Sequence, residues 1–402
     1  MAAPSSLYRN AIDLNRYSNS VAKQIVSSYN DIIVDSVNQL RTIDELAAPA
    51  KAARLRAILA QLKESLATWS GTSVQTLSSE LQGLALLQSD FVTNQLRRVL
   101  PKGARSAVNT VEVSPQFAQA VVTTDPTQIN VVTLSDDLTA AVTGAPQTYS
   151  LTAAKGATIT LPNGEVVVKA FNGIAESQAE LFSQVVRNGL LTGEPTPAIA
   201  KRLVGRLQLG QPGSVRQIAE AGGQLTKASN NQIMTLVRTS VNQVANAASQ
   251  QVYEANQDVT KKYRYVATLD ARTSPICRAL DGKVYAYGKG PTPPQHFNCR
   301  STTVPVIDDS SLKRMGIRSP EEVIGEGRRA AMGGTVPADM TYGEWLQKQS
   351  KAVRAEVLGA SKVPYFERLS KKYGAQQALA KLVSTDGSEL TLAQLQKRYG
   401  SA

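Results

Sequence analysis

Residues 233–270 read IMTLVRTSVNQVANAASQQVYEANQDVTKKYRYVATLD, and the hydrophobic period changes inside this stretch. Ile233, Leu236, Val237, Val241, Val244, Ala248 and Val252 recur at the spacing of one helix face, through about Asn256. Tyr263, Tyr265, Ala267 and Leu269 then alternate with Arg264, Val266 and Thr268, the period of a strand that ends at Asp270. A long helix feeding a short strand predicts a mixed core. Arg238 and Asn242 stand one turn apart on the surface of that helix.

Downstream, the pattern predicts a short helix over 274–280, a turn at Asp281-Gly282, a strand over 283–287, a Gly/Pro-rich loop over 288–294 and a strand over 301–307. Beyond these lie helical stretches at 342–358 and 363–383, then a Thr-capped one at 391–399. Upstream, Leu181, Phe182, Val185, Val186 and Leu190 are helically spaced. Thr196-Pro197 reads as a helix start leading to about 207, with a stop at 210–213 and a weaker helical segment over 218–225.

The first 100 residues read as helical. Leu14, Tyr17, Val21, Ile25, Tyr29, Ile32, Val37 and Leu40 mark a long amphipathic helix, broken over 42–50 around Pro49. Leu55, Ile58, Leu59, Leu62, Leu66 and Trp69 form a second stripe, and Leu77, Leu81, Leu84, Leu87 and Phe91 a third that ends near Pro101. The charge of these residues is nearly balanced, so packing against partner helices suits them better than nucleic acid. Over 111–171 β-branched residues accumulate. The runs 157–161 and 165–169, joined by Pro162-Asn163-Gly164, read as a β-hairpin, and 123–144 as a loop.

These readings add up to an α+β chain, predominantly helical, in four segments. Residues 1–105 form a helical arm or bundle, 106–172 a small β-containing insertion, 173–310 a compact mixed core with short strands, and 311–402 a helical tail. With 402 residues the chain is too long for one small module, and its 42% hydrophobic content is sufficient to bury a core. No apolar run approaches the ~18 residues of a membrane helix. No secretory leader is visible after Met1, and two cysteines rule out a disulfide framework, so the expectation is a protein assembled in a reducing cytoplasm without membrane contact.

Lys+Arg 44 against Asp+Glu 32 leaves a net charge of +12, which favours a polyanionic neighbour. Half of that excess sits within 261–300, where Lys261, Lys262, Arg264, Arg272, Arg278, Lys283, Lys289 and Arg300 face only Asp270 and Asp281. Lys261, Lys262, Arg264, Lys283 and Lys289, interleaved with Tyr263, Tyr265, Tyr285 and Tyr287, are the DNA-contact candidates. Tyrosines on half-buried strands also serve as packing residues.

A single histidine excludes two-histidine zinc sites and HExxH catalysis within the chain. It also directs attention to one place, because His296 and both cysteines, Cys277 and Cys299, fall within 23 residues. Two thiolates and an imidazole suit Zn²⁺, with Asp270, Asp281 or water as a fourth ligand. The same trio also fits a hydrogen-bonded turn knot, or a Cys277–Cys299 disulfide, which a reducing compartment disfavours.

The run from Ala267 through Asp270, Arg272, Thr273, Cys277, Arg278, Asp281 and Gly282 to Lys283, followed by Pro294-Gln295-His296-Phe297-Asn298-Cys299-Arg300, resembles the signature of the phage Mu F-like family of head morphogenesis proteins. The resemblance extends more weakly from about 175 to 399, through Arg238-Thr239-Ser240-Val241-Asn242 and Thr341-Tyr342-Gly343-Glu344-Trp345-Leu346. In relatives the positions of Ser274 and Ser301 are often cysteine, completing a four-ligand metal site. Serine is not an ordinary zinc ligand. That departure favours a knot in which Asp270 and Asp281 accept hydrogen bonds from backbone N–H groups or from Arg272, Arg278 and Arg300.

The resemblance implies a minor head protein of a tailed phage, a non-enzymatic virion component at the portal vertex or inner capsid. Its implied partners are the portal protein, the major capsid or scaffolding protein, packaged double-stranded DNA bound without sequence preference, and further copies of the chain. The rival classes are a Mu F-associated enzyme or toxin module using Cys277 and His296, and a sequence-specific DNA-binding regulator. The chain shows no phosphate-binding GxxxxGK[ST] loop, no zinc-deaminase pattern and no compact helix-turn-helix signal.

Overall fold

The computed structural model describes residues 5–100, 105–106, 108–115, 117–123, 133–134, 148–151, 161–204, 224–307, 313 and 327–401. Helix α1 (Ser5–Arg41) runs through a short 3-10 turn (Thr42–Glu45) into α2 (Ala48–Val99). At about 1.5 Å per residue these helices are roughly 55 and 80 Å long. The two stripes read over 55–69 and 77–91 therefore belong to one helix. No proline interrupts them, and the buried positions Ile58, Leu62, Leu66, Leu77, Leu81, Ala85, Val92 and Leu96 continue along one side.

Helices α4 (Val167–Leu191), α5 (Thr196–Val204) and α6 (Gln224–Ala255) complete the helical body, and a short α3 (Phe117–Thr123) lies against α2. α6 is packed by α1 on one side and by α2 and α4 on others. Trp69 is the hinge point of this packing. Its ring lies 5.3 Å from Tyr29 of α1 and 5.7 Å from Phe171 of α4, and its Nε1 donates to the carbonyl of Ile25 at 3.2 Å. One continuous core cluster extends from Leu7 to Ala338, so residues of the N-terminal helices and of α6 share the same interior.

The hairpin expected over 157–169 does not form. Residues 157–160 lie outside the described residues, while Leu161–Gly164 makes a turn and Val167 already opens α4. The valines at 166–168 favour strand locally, but Val167, Phe171, Ile174, Ala175, Gln178 and Phe182 are buried at helical spacing against α2. Tertiary packing overrides a weak local preference. Most of the loop read at 123–144, and the stop and weak helix read at 210–223, also lie outside the described residues.

Three small sheets accompany the helices. Strands β1 (Thr110–Val113), β3 (Thr148–Leu151) and β2 (Thr133–Leu134) lie in the order β1-β3-β2, with β1 and β3 parallel. The antiparallel sheet β5 (Val284–Ala286), β4 (Thr260–Val266), β6 (Thr302–Ile307) has β4 at its centre, in register Tyr263 with Tyr285 and Arg264 with Val304. A hairpin, β7 (Arg328–Ala331) and β8 (Gly334–Pro337), leans on Leu269 and α1.

Helix α7 (Pro275–Leu280) leads out of the central sheet and meets the Ala375–Lys381 helix, while the tail forms a second core with Leu269. The tail consists of α8 (Tyr342–Gln347), α9 (Lys351–Leu358), α10 (Val363–Tyr373), α11 (Ala375–Lys381) and α12 (Leu392–Tyr399). The stretches read as single helices at 342–358 and 363–383 are each divided. Ser350 caps a new helix at 351, and Gly374 takes φ +84°, a conformation that ends α10. Thr341 and Thr391 both form reciprocal capping boxes with the residue three positions on.

Candidate functional site

Three short segments meet beside β4. Leu269 ends the strand region, Ser274 caps α7, and the 287–301 loop returns beneath it to start β6. Pro275 in the first turn and Ser274 at the cap set the helix start, so that Cys277 lies one turn inside. The loop then places His296 and Cys299 against it. One ligand atom each from Cys277, His296 and Cys299 lie within 4.8 Å of one another.

The two sulfurs are 3.7 Å apart and both cysteines are free thiols, so they form no disulfide. His296 Nε2 lies 3.3 Å from Cys277 Sγ and 2.7 Å from Ser274 Oγ. Its Nδ1 is 2.8 Å from the carbonyl of Phe297, which can only accept, so Nδ1 carries a proton and Nε2 faces the sulfur. Tyr265 adds its hydroxyl at 3.2 Å from Cys277 Sγ.

Charge within this knot is uneven. The Cys277 contact, together with main-chain hydrogen bonds from Gln295 and Ser301, lowers Cys299 to about 6 despite burial. The bond to Cys299 and burial push Cys277 up to about 12. Burial opposes charge on His296, but its contact with Cys277 and its bond to Phe297 raise it above the usual imidazole value. A buried thiol that keeps its proton is a poor nucleophile.

The acidic residues of the motif act as structural fasteners. Asp270 accepts from both terminal nitrogens of Arg300, at 2.5 and 2.8 Å, and from the backbone N–H of Arg272 and the hydroxyl of Thr273. Arg272 itself reaches Asp270 only at 3.9 Å, and its side chain is 83% exposed. Asp281 is fully buried, and its cation is Arg329 rather than Arg278. It also accepts from the backbone N–H of Ala267 at 2.7 Å and of Tyr342 at 2.6 Å. Gly282 takes φ +78°, and a Cβ there would lie 2.9 Å from the Thr341 methyl.

Arg278 turns away from the knot. It donates to the carbonyls of Thr273 and Val357 and pairs with Glu389, which Lys362 also holds. The motif thus anchors the tail. Asn298, at φ +58°, donates from its backbone to Thr239 and from its side chain to Thr235 on α6. Thr235, Thr239, Asn242, Asn246 and Gln250 form a polar stripe on α6 that bonds the loop and β6, with Asn242 on the Ser301 carbonyl and Gln250 on Thr303. The helical spacing of those polar residues was the available signal, and the hydrophobic reading passed over it. Arg329 carried no sequence signal.

The DNA-contact candidates lie around the sheet. Lys261, Lys262 and Lys289 are exposed, whereas Arg264 and Lys283 are half-buried and the Arg264 Nε is buried. Tyr263, Tyr285 and Tyr287 stack on one another, with Tyr263 buried among them.

For a zinc ion, the donor set fits in part. The spacing of the sulfurs is one that two thiolates can meet around one ion at about 2.3 Å from each. Asp281 and Asp270, the expected fourth ligands, are committed to Arg329 and Arg300. The small cavity of about 10 Å³ beside Cys277 and His296 is lined by the neutral hydroxyls of Ser274, Ser301, Thr268 and Thr273, by Asn298 and by the cations Arg272 and Arg300.

A helical body whose mixed core is pinned by a Cys/His knot and buried ion pairs defines the class to which this site belongs. Residues 180–304 match the family model described as Phage Mu protein F like protein, and this part of the chain is Mu F-like. The matched region takes in the C-terminal half of α4, all of α5 to α7 and the knot, and ends in β6. That family is a structural, head-morphogenesis family of bacteriophages. No curated protein and no solved structure matches the chain. Among the described residues, no helix is long and apolar enough to cross a membrane.

Proposed function

We propose that this protein is a minor head protein of a tailed bacteriophage, a virion component that joins the portal or inner capsid wall during head assembly and lies beside packaged DNA. The observation that carries the reading is what the Mu F-like motif does here. Its charged residues are spent on fastening separate segments to one another: Asp281 to Arg329, Asp270 to Arg300 and Arg278 to Glu389. Such a site holds a body in shape, and Cys299, the thiol whose pKa is lowered, is itself buried. The alternative enzyme using Cys277 and His296 is disfavoured by the burial of Cys277 and its raised pKa.

The same knot would hold a structural zinc ion through Cys277, His296 and Cys299, tying α7 to the 287–301 loop. The exposed Lys261, Lys262 and Lys289 suit weak, salt-sensitive contact with DNA phosphates.

The test uses the full chain. It is co-expressed with the portal and major capsid proteins of the same phage, and the assembled heads are purified and analysed for its presence. Retention in heads, and capture by isolated portal protein, is the expected result. Heads that assemble and package normally without it, and a chain that binds neither component, would sink the proposal.

A further inference from the structure

Between α1 and α6, beside the knot, lies a cavity of about 350 Å³. Three arginines line it: Arg238 from α6, Arg272 from the turn before α7, and Arg300 from the start of β6, with Asn15 and Asn19 of α1 opposite. Among the described residues no carboxylate lines it. The nearest acid is Asp270, which is engaged bidentately by Arg300 and reaches Arg272 only at 3.9 Å. Arg238 has no carboxylate partner among the described residues, and its Nε donates to the neutral Asn19 Oδ1 at 2.8 Å.

Three guanidinium groups against one carboxylate and the Cys299 thiol, which also lines the cavity, leave an excess of positive charge in one half-enclosed space. Among the described residues no further acid lines the cavity to neutralise it. The cost registers on Arg238, whose pKa is lowered by burial and by the charges of Arg272 and Arg300. Arginine forks match the oxygens of a phosphate group in pairs, and asparagine amides add neutral donors around it. The volume is that of a small-ligand pocket, large enough for a phosphate or pyrophosphate group.

We infer that the cavity between α1 and α6 is a phosphate-binding site, in which Arg238, Arg272 and Arg300 hold a phosphate-type anion. Arg238 supplies the unpaired charge inside the cavity, Arg272 closes its mouth and Arg300, oriented by Asp270, forms its floor. The phosphate could come from a DNA backbone or from a free phosphorylated compound. Only the DNA source rests on the head-protein reading, and the site itself does not.

The experiment is calorimetric titration of the full-length protein with inorganic pyrophosphate, alongside fluorescence anisotropy with a short DNA duplex. Wild type binds pyrophosphate, Arg238→Gln binds it about tenfold or more weakly, and Arg238→Lys recovers part of the loss. Asn15→Asp, which adds a negative charge to the wall without altering an arginine, also abolishes binding. This second variant keeps the test sharp if Arg238→Gln melts early. If Arg238→Gln weakens duplex binding and pyrophosphate competes with the duplex, the phosphate is that of DNA. If only pyrophosphate binding falls, it is that of a free compound. No binding of pyrophosphate at millimolar concentration, or equal binding by wild type and both charge-altering variants, overturns the site. Failure of the portal and head experiment leaves this titration unaffected, so the two readings fail separately.

Discussion

Asp281 Oδ1 accepts a hydrogen bond at 2.9 Å from Nη2 of Arg329, forty-eight residues further on, and both side chains are removed from water. The carboxylate is also capped by the backbone N–H groups of Ala267 and Tyr342, so one buried charge ties the end of β4, the β7–β8 hairpin and the start of α8 together. Arg329 further donates to the carbonyls of Ala267 and Met340. With its remaining lone pairs satisfied, such a pair can repay its desolvation cost.

Removing one partner strands the other. Arg329→Met leaves the Asp281 carboxyl without its cation in the interior, and should destabilise the chain by about 3–5 kcal/mol in urea titration. Replacing both, Asp281→Asn with Arg329→Met, should cost less than Arg329→Met alone. A double variant as unstable as the sum of the singles would show that the pair is not the unit that matters.

Asp270 gives a pH signature. Burial opposes its ionisation, but the hydrogen bonds and charge of Arg300 win and hold its carboxyl below the usual range. A depressed folded-state pKa contributes stability that is present above the unfolded value of about 3.9 and is lost as pH falls through the lower folded value. Wild type should therefore melt higher than Asp270→Asn at pH 7, and the gap should close on acidification below about pH 4. A gap that stays constant from neutral to acidic pH would contradict the assignment.

The knot predicts how metal should act. Cys277, His296, Ser274 and Tyr265 already bond one another without an ion, so a chelator should leave the fold intact. Added zinc should bind one per chain with release of thiol protons, and should raise the melting temperature in proportion to its binding free energy. His296→Ala should abolish that rise. Mass spectrometry under native conditions reads the stoichiometry directly.

Two glycines should respond in opposite senses to alanine. Gly71 lies inside α2 with open space around the position of a Cβ, so Gly71→Ala should stabilise by about 1 kcal/mol. At Gly343, where α8 crosses the start of α11, a Cβ would fall 2.5 Å from the backbone of Ala375, and alanine should destabilise by roughly 1–3 kcal/mol. Thermal melts of the two variants decide both signs.

Much of this protein was determined by the sequence alone, because its signals are local. Leu14, Val21 and Ile25 repeat at helix spacing whatever they pack against, and α1 and α6 form where that period persists. The crowding of Cys277, His296 and Cys299 into 23 residues marked the knot, since residues near in sequence meet at a low loop-closure cost. The Thr391 cap and the Asp281-Gly282 turn were legible for the same reason.

What the tertiary structure decided depends on contacts between distant segments. Val166, Val167 and Val168 carry a strand preference, yet α4 begins there because α2 offers Val167 and Phe171 a helical groove to bury in. Asp281 had several arginines nearby in sequence, but its partner is Arg329, which the fold of the tail brings to it. The phosphate pocket exists only because α1 crosses α6 and the loop sets Arg300 beside Arg238. A propensity of a few tenths of a kcal/mol per residue yields to burial worth several times as much per side chain, and no local pattern records which buried charge will meet which.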